Sequence, residues 1–87
     1  MKRSLALCFI LHAVSAAADP VADGAALYSE NCLVCHGPTA SEGEAGDIRG
    51  LSLSTVTGAV RGGPGMMPTF AIPAEEIAAI VAYLARL

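Results

Sequence analysis

The chain has 87 residues, with five lysines and arginines against eight carboxylates, a formal net charge of −3 and 54% hydrophobic residues. That length holds one domain at most, and the acidic balance makes nucleic acid and anionic membrane surfaces poor partners.

Lys2 and Arg3 precede an apolar run from Leu5 to Val14, which gives way to Ala16, Ala17 and Ala18. A basic start, a short apolar stretch and small residues in that order read as a secretory signal cut after Ala18. Residues 1–18 are therefore expected to be a cleaved signal peptide and residues 19–87 the folded domain, with the periplasm as its compartment. The apolar run is about half of the roughly 20 residues that cross a bilayer as a helix, so no membrane anchor is expected once the signal is removed. Leu7 before Cys8 does not fit a lipidation signal. Cleavage leaves three arginines, no lysine and a net charge near −5, and it confines cysteine and histidine to Cys32-Leu33-Val34-Cys35-His36. A domain this short buries little surface and needs a staple of some kind.

Val21 to His36 is predicted as a helix, with Asp23 as its N-cap and the cysteine cluster in its last turns. Gly37-Pro38 stops it. Residues 37–50, rich in Gly, Ser, Glu and Asp without periodicity, read as a loop wrapped around something. Leu51 to Arg61 is predicted as a short helix capped by Ser52 or Ser54 and ended by Gly62-Gly63, although Thr55, Val56, Thr57 and Gly58 are poor helix formers. Gly62 to Pro68 holds too many glycines and prolines for regular structure and is expected to be extended. Pro73 to Leu87 is the clearest helix, with Glu75 and Glu76 at its positive end and a stripe of Ile77, Ile80, Val81 and Leu84. No strand pattern is visible, so the chain reads as all-α.

In a helix, Cys32, Cys35 and His36 stand at i, i+3 and i+4 and share one face. Two thiols there can each add across a haem vinyl group, and the imidazole beside them reaches the iron from the same side. C-x-x-C-H behind a secretory signal is a strong sign of haem attachment. A thioredoxin-like dithiol would need strands and more chain, zinc would need a fourth ligand that is not in view, and a plain disulfide leaves His36 without a role. With the histidine used, a thioether sulfur leads as the sixth ligand, a pairing that raises the reduction potential; Met66 and Met67 are both available.

The chain resembles class I c-type cytochromes, particularly the small soluble bacterial monohaem carriers. The resemblance rests on Gly24-Ala25-Ala26-Leu27-Tyr28 leading into Cys32 to His36, on Gly65-Met66-Met67-Pro68-Thr69-Phe70, and on Glu76-Ile77 through Tyr83-Leu84. It implies a cytochrome c-like fold of a few helices around one covalent haem c. The first and last helices should cross where Gly24 and Tyr28 meet the face bearing Tyr83. It also implies thioethers at Cys32 and Cys35, His36 as the proximal iron ligand, and Met67, the residue before proline, as the distal one. Pro68 biases Met67 toward an extended backbone, which would turn Met66 the other way. One position departs from the pattern: Asp47 stands where many relatives carry a proline whose carbonyl accepts the N–H of the proximal histidine. Arg49 and Arg61 are candidate partners of the haem propionates, and Phe70 a residue packed near the haem.

The function so implied is one-electron transfer between a donor and an acceptor redox protein, with no substrate turned over. The acidic surface, including Glu42, Glu44 and Asp47, suits a partner with a basic docking patch. The alternative is a dedicated haem c electron-transfer subunit of a periplasmic dehydrogenase or oxidase.

Overall fold

A computed structural model describes residues 19–87. The signal peptide expected at residues 1–18 lies outside the described residues. Among the described residues four helices follow one another, α1 (Pro20–Asn31), α2 (Leu33–His36), α3 (Leu53–Gly62) and α4 (Ala74–Leu84), and there is no strand. The all-α expectation therefore holds.

The start of α1 differs from the sequence reading. Asp19, not Asp23, is its N-cap: the Asp19 carboxylate accepts from the N–H of Val21 at 3.0 Å and of Ala22 at 3.4 Å. Pro20 explains the shift, since its fixed φ and missing N–H suit the first helical position. Asp23 instead lies in the first turn, where its charge favours the positive end of the dipole. The helix also does not run unbroken to His36. It ends at Asn31, whose side-chain amide donates to the Leu27 carbonyl at 2.9 Å, the local competition for backbone acceptors typical of asparagine. Cys32 (φ −119°) separates α1 from the single turn α2.

The prediction for α3 holds despite its poor helix formers. Ser52 caps it by accepting from Thr55 N–H, and Gly63 closes it in the left-handed conformation at φ +59°. Val56 and Val60, one turn apart, are buried, and this packing outweighs weak propensity. At α4 the expected stripe is largely buried, with Ile77, Ile80 and Leu84 inside and Val81 packed against them. Fully burying an isoleucine or leucine contributes about 1.5–3 kcal/mol, so these three account for much of what the last helix gains by docking.

α1 and α4 cross where the sequence suggested. A Cβ added at Gly24 would fall on the Ala79 carbonyl and 2.9 Å from the Tyr83 Cβ, so only glycine allows so close an approach. One turn on, the rings of Tyr28 and Tyr83 sit 5.4 Å apart and tilted by 47°. The loop of residues 37–52 and the loop of residues 63–73 run between these helices. The first is tied by Ile48 N–H to Ala40 C=O (2.9 Å), the second by Phe70 N–H to Val60 C=O (2.9 Å).

Candidate haem site

The α2 turn, at the foot of α1, presents the cysteine cluster. Both Cys35 N–H (3.3 Å) and His36 N–H (3.0 Å) return to the Cys32 carbonyl, so the three residues occupy one turn even though the long helix has broken. Gly37 ends the turn at φ +81°, and its carbonyl accepts the Tyr28 hydroxyl at 2.6 Å in a buried hydrogen bond. Burial, with a smaller contribution from neighbouring Cys32, raises the Tyr28 pKa and keeps that donor protonated. The thiols of Cys32 and Cys35 are free; burial, then the neighbouring Cys35, pushes the Cys32 thiol up.

Two adjoining cavities open at this turn. The larger, about 570 Å³, is lined by Cys35, His36, Glu44, Ala45 and the loop from Pro64 to Met67. The smaller, about 70 Å³, is lined by Asn31, Cys32, Cys35, His36, Met67, Pro68 and Phe70. Cys35, His36 and Met67 belong to both walls. The larger volume lies within the roughly 300–1,000 Å³ typical of small-molecule and cofactor sites.

The structure thus brings together Cys32, Cys35, His36 and Met67, with Phe70 beside them. Met67 is half-buried, while Met66 is 89% exposed; Met66 lines the larger cavity but not the smaller. The segment expected to be extended is not: Gly62 belongs to α3 and the Met67 N–H donates to the Pro64 carbonyl at 3.0 Å, a turn that carries the Met67 side chain to the cavity wall. The two arginines proposed for the propionates both have other partners. Arg49 forms a two-pronged pair with Asp47, at 2.9 Å through Nε and 2.8 Å through Nη2, and Arg61 Nη1 donates to the Ile72 carbonyl at 2.7 Å. The guanidinium of Arg49 holds the Asp47 carboxyl down at about 2.

His36 Nδ1 is buried and has no hydrogen-bond partner among the described residues, at the chain position whose usual partner loop departs from the pattern at Asp47. Sequence reasoning missed two features. The Tyr28 hydroxyl bond to Gly37 depends on the fold of the turn, and Glu44 on the cavity wall depends on how a loop without periodicity is laid down.

The residues fit a covalent haem: two free thiols and an imidazole on one turn, a half-buried thioether on a second loop, and an apolar cavity between. An all-α fold around such a cavity, with C-x-x-C-H at its wall, defines a c-type cytochrome domain, which binds haem c and iron and exchanges electrons with redox partners. The family described as Cytochrome C oxidase, cbb3-type, subunit III matches residues 19–84, and the chain belongs to that family. No match was found among curated proteins or among solved structures. Among the described residues, no helix is long and apolar enough to cross a membrane.

Proposed function

We propose that residues 19–87 form a periplasmic one-electron carrier, exported by a signal peptide at residues 1–18 that is then cleaved. Cys32 and Cys35 would hold the haem through thioethers, and His36 and Met67 would ligate its iron from two sides. When bound, the haem supplies an iron that takes up and returns one electron. The chain's own part is to fix the imidazole on a turn braced by Tyr28, to present Met67 from the loop of residues 63–73, and to wall the smaller cavity with Phe70 and Pro68. The observation that carries this reading is the shared wall: His36 and Met67 line both cavities, and Cys32 and Cys35 line the smaller one.

The test is the visible spectrum of the holoprotein made with a haem-attachment system. A weak near-red band from sulfur on ferric iron is expected, lost in Met67→Ala and kept in Met66→Ala. Covalent haem without that band in the unaltered protein would overturn the His/Met assignment. The acidic surface supports a partner with a basic docking patch, so the reduction rate by such a partner should fall as salt rises; rates unchanged by salt would exclude it.

The family match supports a second reading, a dedicated haem c electron-transfer subunit of a larger oxidase or dehydrogenase. The exposed Val34 and Met66 at the site's edge would then be covered by another chain. Sedimentation of the protein at native abundance separates the readings: a species of the domain's own mass supports the carrier, a stable larger complex the subunit.

A further inference from the structure

The wall of the larger cavity carries one acidic side chain, Glu44. Its Oε1 lies 3.1 Å from where a Cβ would stand on Gly65, so the side chain reaches from its own loop to the loop that bears Met67. Among the described residues, no lysine or arginine lines either cavity. Arg49 is held by Asp47, Arg61 by the Ile72 carbonyl, and Arg86 lies in the turn beyond α4. Glu42, the neighbouring carboxylate, packs against Gly37 and lines neither cavity. Among the described residues, the Glu44 charge therefore meets no cation on the wall it shares with His36 and Met67.

We propose that Glu44 lowers the reduction potential of the bound haem through its fixed negative charge at the cavity wall. The proposal rests on the reading of Cys32, Cys35, His36 and Met67 as the haem site. Reduction brings in one electron from the donor protein and removes one positive charge from the iron. A negative charge in the wall stabilises the more positive, oxidised form and so opposes that step. The apolar lining strengthens the interaction relative to bulk water, and the exposure of Glu44 limits it through solvent and salt. Removing the charge should shift the oxidised-to-reduced ratio at a given potential about three- to tenfold, the upper end being about 59 mV for a one-electron couple.

The experiment is a redox titration of the holoprotein, at low and high salt, for the unaltered chain and for Glu44→Gln, Glu44→Lys and Glu75→Gln. Glu75 lies in the first turn of α4, away from both cavities, and serves as the control. The midpoint is expected to rise in Glu44→Gln and to rise about twice as far in Glu44→Lys. Both shifts should shrink in high salt, with the visible spectrum unchanged. No low-salt shift beyond that of Glu75→Gln, or equal shifts for glutamine and lysine, overturns the proposal while leaving the haem site intact. An unaltered chain that takes up no covalent haem overturns the function reading itself, and the absent spectrum distinguishes that failure.

Discussion

Tyr28 has two jobs on one side chain: its ring packs against Tyr83 and its hydroxyl holds the Gly37 carbonyl. Tyr28→Phe keeps the first and removes the second. Because the carbonyl still accepts from Ala40 N–H at 3.2 Å, the expected loss is that of one neutral hydrogen bond, about 1 kcal/mol, seen as a lower urea midpoint with the slope unchanged. Asp47 makes a second prediction at this scale. Its folded pKa, about 2, lies below its ordinary 3.8, so its pairing with Arg49 stabilises the loop above the ordinary value and is lost as pH falls through about 2. A carboxyl NMR titration of Asp47 should show that low midpoint and, in Arg49→Gln, a return toward the usual carboxylate range. The tyrosine ring's contact with Tyr83 was legible through the resemblance to c-type cytochromes. The sequence did not reveal the hydroxyl's partner, which lies beyond a break in the helix, nor the engagement of both arginines, since charged side chains choose partners only once the loops are in place.

At the scale of the helices, two glycines behave oppositely. Gly24 sits where a Cβ would strike the Ala79 backbone, so Gly24→Ala must push α1 away from α4. Overpacking of that kind costs about 1–3 kcal/mol and exceeds the roughly 1 kcal/mol that alanine gains over glycine in a helix. Gly58 in α3 has open space where its Cβ would be, so Gly58→Ala should raise stability by about 0.5–1 kcal/mol. Thermal unfolding of the two holoprotein variants, expected to move in opposite directions, checks both. Helices α3 and α4 were readable because their apolar spacing agrees with their packing, helped in α3 by the Ser52 cap; α4 ends at Leu84, short of the expected Leu87. The two ends of α1 were misplaced because proline at the first position and asparagine at the last act through the backbone, which periodicity does not report.

For the molecule as a whole, a cavity of about 570 Å³ in so short a domain means that the haem completes the core. The double variant Cys32→Ala/Cys35→Ala, purified free of haem, should therefore show a marked loss of helical circular dichroism and a broadened thermal transition. An unchanged, cooperative transition would mean that the helices alone suffice. The class of protein was legible because the attachment chemistry requires its residues within one turn of chain. The cavity wall was not, because residues 37–52 have no repeating pattern to fix which side chains turn inward. The crossing at Gly24 and Ala79 also bears on the order of folding. It closes the intervening chain, with the attachment turn and both loops inside it, into a single loop whose entropic cost rises only slowly with length. During synthesis the attachment turn appears before its clasp, so a nascent chain not yet extended through α4 carries the thiols without the contact that seals their surroundings.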